Sequence, residues 1–237
     1  MKTVIINLKK DTRKRQWMER QLRELSISAE FVEGVYGRDL PVAEYSAALS
    51  RFRWWCAVGR PAAPAEVGCA LSHFSVYRSM SEPTCILEDD VRISSEFSLV
   101  LSQVEQTLEA NKPQVFLLSN HDSLVPIGEA GTIRRDNSGM CTDGYVITPP
   151  AAQCLLKWNL PMRVPCDTWR RWAGIKEFEL YHVFPSVISQ AQDELGSSTS
   201  ENRLAVQDFP LLQWLTHKSK RAIGCMLDRM LCAMGVL

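Results

Sequence analysis

The first forty residues constrain the fold more than any other stretch of the chain. Thr3 to Leu8 is a short apolar run rich in β-branched residues, which predicts a buried strand. Thr12 to Leu25 follows with helical spacing, Trp17, Met18, Leu22 and Leu25 standing among Arg, Lys and Glu. Glu30 to Val35 then predicts a second strand, closed by Gly37-Arg38-Asp39. Strand, helix and strand in this order form a crossover unit, and such units join parallel strands. The expectation is an α/β fold with a mainly parallel sheet flanked by helices.

The alternation continues. Residues 41 to 65 are less regular, and Gly59-Arg60-Pro61-Ala62-Ala63-Pro64 predicts a loop. Helical spacing resumes from about Glu66 to Met80, with Val67, Ala70, Leu71, Phe74 and Tyr77 apolar. Thr84 to Leu87 is a short apolar strand that runs directly into Glu88-Asp89-Asp90. A helix near Phe97 to Ala110 and strands at Val115 to Ser119 and Gly144 to Thr148 follow, and Pro149-Pro150 opens a helix to Trp158. Gly196 to Ser200 is a polar linker. One domain over residues 1–200 and an amphipathic helical tail over 201–237 are expected.

A chain of 237 residues can bury such a core without staples. Lys and Arg number 27 and so do Asp and Glu, a balance that argues against a protein built to grip nucleic acid. The eight cysteines form no Cys-x-x-Cys pair and several sit in apolar runs, which points to a reducing compartment without structural zinc. Val4-Ile5-Ile6 is too short for the apolar core of a secretory signal, and no run approaches the roughly 18 residues of a membrane span. A cytoplasmic protein is the expectation.

Carboxylates at the end of a buried parallel strand need an explanation. Ligands of open α/β sheets bind at the carboxyl ends of strands. Three consecutive acids there repel one another and raise their own pKa values unless a cation neutralises them. A hard divalent ion with oxygen ligands and a bound diphosphate meets that need, and a solvated acidic turn is the plainer alternative. Phosphoacceptor receiver domains also carry an acidic strand-end pocket. They are shorter, however, with further acids after the first strand, where this chain has Lys9-Lys10.

At these residues the chain resembles the family 25 glycosyltransferases. Ile5-Ile6-Asn7-Leu8 with Arg13-Lys14-Arg15 and Met18 is similar to the family's opening, as is Val35-Tyr36-Gly37-Arg38. Glu66-Val67-Gly68-Cys69-Ala70-Leu71-Ser72-His73 resembles its Glu-x-Gly-Cys-x-Leu-Ser-His segment, and Ile86-Leu87-Glu88-Asp89-Asp90-Val91 its acidic motif. Gly144-Tyr145-Val146-Ile147, Pro165-Cys166-Asp167 and Pro185 through Gln190 match later elements in order, so the likeness runs from about residue 2 to 200.

The resemblance implies a GT-A-type nucleotide-sugar-binding fold and an inverting transferase that uses a divalent metal, usually manganese, and a UDP-sugar donor. Bacterial members build lipooligosaccharide, many as β-1,4-galactosyltransferases and some as glucosyltransferases, while a eukaryotic branch modifies hydroxylysine in collagen. The compact chain looks like the bacterial branch. Its acceptor would then be a glycolipid sugar. Glu88 stands where the commoner Asp-x-Asp pattern has its first aspartate, so the division of ribose and metal between Glu88 and Asp90 stays open.

The implied roles follow. Asp90 is the first candidate for coordinating the metal, with Glu88 on metal or ribose and Asp89 in support. Asn7, Arg15, Ser72, His73 and Gln190 are candidates for the donor side, Arg15 as a cation facing the diphosphate or else part of a solvated helix face. His73 is read as packing on the donor side rather than moving a proton, and His182 as a possible member of the metal or diphosphate shell. An inverting transfer needs a base for the acceptor hydroxyl. Asp167 is the candidate, with a helix N-cap as its structural alternative. Trp54, Trp55, Trp169 and Trp172 could stack on sugar rings or fill the core.

Two other functions stand beside this one: a module of the same fold that binds glycan or nucleotide without turnover, and a metal-dependent phosphohydrolase. In the tail, Ile223, Met226, Leu227, Met230, Met234 and Leu237 share a helical face at 100° per residue. Lys218, Arg221 and Arg229 lie opposite, and with Lys220 against Asp228 they leave a local charge of +3. Such a helix could lie on an anionic membrane surface or pack on the domain or a second subunit.

Overall fold

The computed structural model describes residues 1–120, 132–173 and 178–195; the linker and tail expected from residue 196 onward lie outside them. The elements run β1 (Lys2–Asn7), α1 (Thr12–Glu24), β2 (Glu30–Glu33), α2 (Val42–Ala48), α3 (Arg51–Val58), α4 (Pro64–Ser79), β3 (Thr84–Glu88) and β4 (Val91–Ile93). They continue with α5 (Phe97–Thr107), β5 (Gln114–Leu117), β6 (Thr132–Arg135), β7 (Gly144–Ile147), α6 (Pro149–Asn159), α7 (Trp169–Trp172), β8 (Glu179–Phe184), β9 (Ile188–Gln190) and α8 (Gln192–Leu195). The chain forms two compact units. Among the described residues, the first comprises 1–34, 72–120, 132–155, 167–173 and 178–195, and the second 35–71 and 156–166.

The first unit is the α/β sheet that the opening residues predict. Its order is β2-β1-β3-β7-β5-β8-β6. β1 pairs parallel with β2 and β3, and β5 parallel with β8. β7 runs antiparallel to both β3 and β5, and the edge strand β6 antiparallel to β8. Five strands therefore share one direction and two oppose it. The central strands carry no polar face. β3, β5 and β7 are buried almost throughout, as strands covered on both sides must be.

One buried cluster joins Ile5, Met18, Leu87, Phe97, Val104, Phe116 and Val146, so α1 and α5 share one apolar layer with the sheet. α1 does more than cover. Its Gln21 side chain donates to the Val91 carbonyl at 2.9 Å and accepts from the Ile93 amide at 2.7 Å, taking the place of a neighbouring strand along β4. Trp17 Nε1 donates to the same carbonyl at 2.8 Å. β4 also pairs antiparallel with β9 in a separate two-stranded ribbon. These bonds hold the turn between β3 and β4, which carries the acids.

The second unit corrects the expectation of irregular chain at 41–65. α2 and α3 form there, and Gly59 ends α3 with φ at 83°, a left-handed cap that glycine adopts without strain. The Gly-Pro run forms the short loop between α3 and α4, as its composition predicts. Arg60 grips Glu66 at 2.7 and 2.6 Å, and the Ala63 amide donates to Glu66 at 2.8 Å, fixing the first turn of α4. A methyl group on Gly68 would stand 2.5 Å from the Gly37 nitrogen, so two backbones touch at the glycine of the Glu-x-Gly-Cys segment. Asn159 holds residues 163 and 164 through three hydrogen bonds of 2.8 to 3.2 Å. Among the described residues, no helix is long and apolar enough to cross a membrane.

Candidate active site

At the carboxyl end of β3 the chain turns through Asp89 and Asp90 into β4. Asn7, the last residue of the adjacent β1, donates to Asp89 Oδ2 at 2.8 Å and to the Asp11 carbonyl at 3.2 Å. Lys14, from the first turn of α1, places Nζ 3.2 Å from Asp89 Oδ1 and 2.9 Å from Asp90 Oδ2. All three side chains of this ion cluster are between 11 and 17% exposed. Burial raises the Asp89 carboxyl to about 6 against the pull of Lys14 and Asn7. Asp90 is raised too, by burial and then by the charge of Glu88, against Lys14. Burial disfavours the Lys14 ammonium, but the charges of Asp90 and Asp89 outweigh it and raise its pKa.

Glu88 belongs to a second network. Thr142 donates to its Oε1 at 2.6 Å, and His73 Nε2 lies 3.4 Å from the same oxygen. His73 Nδ1 lies 2.6 Å from the Tyr145 hydroxyl, which lies 2.6 Å from that of Tyr77. With Glu88 ionised, the chain is satisfied when Tyr77 donates to Tyr145, Tyr145 to Nδ1 and Nε2–H to Glu88. Burial works against the Glu88 carboxylate, but the bonds from His73 and Thr142 and the charge of Lys14 prevail and hold it below the usual range. The Glu88 amide donates to the Asp143 carbonyl at 2.9 Å, and Asp143 Oδ1 accepts from Ser119 at 2.7 Å. Gly144 follows. A methyl group there would collide with Ile188 and stand 2.8 Å from Leu87. Replacing Tyr145 by phenylalanine removes the oxygen that His73 and Tyr77 share, and is expected to cost about 1–3 kcal/mol. Urea unfolding checks this, and a loss well under 1 kcal/mol would show that the network contributes little.

The structure thus brings Asn7, His73, Glu88, Asp89 and Asp90 to one strand end. Ser72 is buried beside His73 on α4. Gln190 sits opposite Val91 in the β4–β9 ribbon, and the next residue, Ala191, donates its amide to the Asp90 carbonyl at 2.8 Å. Arg15 faces elsewhere: it pairs with Glu19 at 2.9 Å and its guanidinium lies 4.1 Å over the Phe31 ring. Lys14, one residue earlier, is the cation among the acids. It stands four residues before Met18 and eight before Leu22, on the inward stripe, and that spacing is the signal that could have found it. Thr142, Asp143 and Tyr145 were not anticipated as site residues. Their signal was sheet pairing, which a sequence does not display.

Asp167 is half-buried and accepts from the Thr168 hydroxyl at 3.5 Å. Thr168, not Asp167, occupies the N-cap position of α7, and it makes no side-chain cap bond. Two residues on, Trp169 is wholly buried, donates to the Cys141 carbonyl at 2.6 Å and meets Tyr145 edge-on at 4.8 Å. Trp54 and Trp172 are buried as well, so three of the four candidate sugar platforms are core residues. His182 is wholly buried, its ring nitrogens 3.2 Å from Asn120 Oδ1 and 3.0 Å from the Ser138 carbonyl.

The acids fit a hard cation. Asp90 Oδ1 is buried and accepts no hydrogen bond among the described residues, whereas a buried carboxylate oxygen ordinarily has a partner. The donors that Asp89 and Asp90 present are oxygens, which suit magnesium or manganese better than a soft metal. In chelator, the raised Asp89 pKa reverses the usual trend of an aspartate. The folded state takes up a proton as pH falls through about 6, before the unfolded chain does near 3.8, so stability is gained in that window and lost as pH rises through 6. Glu88, held low, opposes this only below its unfolded value of 4.5, and Lys14 stays charged throughout. Lowering pH from 7 to 5 is expected to add on the order of 1 kcal/mol. A urea midpoint that falls over this interval in chelator would contradict the assignment.

The fold is that of an α/β protein, and its acidic turn stands at the carboxyl end of a strand, where ligands of open α/β sheets generally bind. Residues 1–169 match Glycosyltransferase family 25 (LPS biosynthesis protein), and the chain belongs to this family. It is 33% identical over 171 residues to human procollagen galactosyltransferase 2, an alignment that covers 65% of this chain and 27% of that protein. It is 33% identical over 115 residues to procollagen galactosyltransferase 1-A of Xenopus laevis, covering 46% of this chain and 19% of the relative. A putative glycosyltransferase, R655, of Acanthamoeba polyphaga mimivirus is 29% identical over 123 residues, covering 49% and 37%. The chain therefore spans only about a fifth to a third of the relatives' length. Among solved structures, the inositol-1-phosphate CTP transferase from T. maritima aligns over 86% of this chain and 76% of its own, with 11% identity and a TM-score of 0.36.

Proposed function

We propose that this chain is an inverting, metal-dependent hexosyltransferase that moves galactose from UDP-galactose onto a sugar of a bacterial lipooligosaccharide. Its family and the galactosyltransferase names of its relatives support the reaction class and the sugar. The single observation that carries the metal reading is the buried Asp90 Oδ1 without a partner, beside two further carboxylates at a strand end. Glu88, Asp89 and Asp90 would hold the cation, whose charge would offset that of the diphosphate leaving group. Asn7, Ser72, His73 and Gln190 shape the donor side around it.

In the transfer, the acceptor oxygen attacks the anomeric carbon while the bond from that carbon to the diphosphate breaks. Asp167 takes the hydroxyl proton, so one C–O bond replaces another and UDP leaves. A glycolipid acceptor agrees with the basic and apolar pattern of residues 216–237, which suits a seat on the cytoplasmic face of an anionic membrane. The test is incubation of purified protein and manganese with a panel of UDP-sugars, a lipooligosaccharide acceptor and a readout of UDP. Acceptor-dependent release from UDP-galactose, abolished by chelator, is expected. Release that ignores the acceptor or the chelator would overturn the proposal.

A further inference from the structure

We infer that Lys14 is a built-in counter-ion for the acidic site: it opposes a divalent cation until the donor's diphosphate arrives. This inference rests on the metal reading above. Glu88, Asp89 and Asp90 carry three negative charges when ionised, and Lys14 returns one. The remainder is the charge that one divalent ion cancels. Lys14 Nζ contacts one oxygen each of Asp89 and Asp90, while Asn7 holds the second oxygen of Asp89. Asp90 Oδ1 is thus the oxygen of this pair left for a cation. Any ion that gathers a second oxygen from this aspartate pair has to share with the ammonium or move it aside.

The anchoring is firm at the backbone and free at the tip. α1 is fixed to β4 by Gln21 and Trp17, so the Lys14 Cα cannot retreat from the site. Its side chain, by contrast, is a flexible four-carbon stem with rotatable donors. Two phosphate groups beside the cation offer the ammonium new acceptors, at which it ceases to repel the metal. Lys14 thereby links the two ligands: the cation binds weakly alone and tightly with the nucleotide. It is a positioning residue, acting through Asp89 and Asp90.

Manganese binding, followed by electron paramagnetic resonance of the free ion with and without UDP, reads this out independently of turnover. In Lys14→Gln, manganese alone is expected to bind at least about tenfold more tightly than in wild type, since a unit charge at this distance leaves a partly buried site. The gain that UDP gives to manganese affinity should shrink in the same variant. Lys14→Arg, which retains the charge, should stay within about threefold of wild type on both readings. A lysine that serves only the fold predicts instead unchanged or weaker manganese binding in Lys14→Gln, and that result would overturn the inference. Should Lys14→Gln unfold in chelator, manganese alone is expected to restore its circular dichroism, and failure to do so counts equally against it. Wild type that binds no manganese, with or without UDP, defeats the metal reading and this inference together. Binding by wild type with no change in the variant defeats the inference alone.

Discussion

Asp90→Asn is expected to leave the fold intact and to lower metal-dependent transfer by on the order of a thousandfold or more, about 4 kcal/mol of barrier. The amide keeps the shape of the carboxylate but gives up the charge that a hard cation requires, and one of its two heavy atoms becomes a donor. Burial and Glu88 already disfavour the ionised form of Asp90, so the neutral amide relieves repulsion in the cation-free protein. Lys14 keeps its contact with Asp89. Circular dichroism and urea unfolding should therefore match wild type to within about 1 kcal/mol, while UDP release with manganese collapses. Full turnover by this variant would remove the acidic turn from the mechanism.

Asp167→Asn is expected to reduce kcat by about a hundredfold to ten-thousandfold, the range for a lost general base, with UDP affinity retained. The donor is proposed to be held at the β3 end by groups from β1, α1 and α4, none of which is Asp167. Stability should change little, because Thr168 rather than Asp167 occupies the helix cap, and asparagine keeps an oxygen that can accept from the Thr168 hydroxyl, 3.5 Å away in the wild-type protein. Titration calorimetry with UDP and manganese separates the outcomes. A collapse of UDP affinity would move Asp167 to the donor site and leave the base unassigned.

Much of this arrangement could be read before any coordinates. The β-branched run ending at Asn7 and the apolar run ending at Glu88 are local patterns, and both strands form where those patterns stand. Once β1 and β3 pair in parallel, Asn7 and the acids share a sheet end. What escaped was information held in neither stretch alone. The antiparallel entry of β7, which sets Thr142 against Glu88 and Tyr145 against His73, depends on pairings made by Gly144 to Ile147 with strands 30 to 60 residues away. The choice of Lys14 over Arg15 turned on one helical step of about 100°. An arginine is the better diphosphate fork on chemistry alone, but here the helix phase decided. α2 and α3 were hidden because short helices carry too few turns for periodicity to declare them.

The position of β7 also sets the order in which the chain can be completed as it is made. β3 is finished at Glu88, yet the strand that covers its far edge begins only at Gly144, and β5 emerges between them without being its neighbour. At ribosomal speeds of about 5–20 residues per second, an apolar edge of Thr84 to Glu88 waits several seconds for its partner. Exposed edges of that kind are templates for wrong pairing, and β5 is the nearest strand available. The nascent protein is therefore most in need of a chaperone after α5 has formed and before Ile147 leaves the ribosome. Slow codons in that interval would prolong the hazard, and slow codons after it would not.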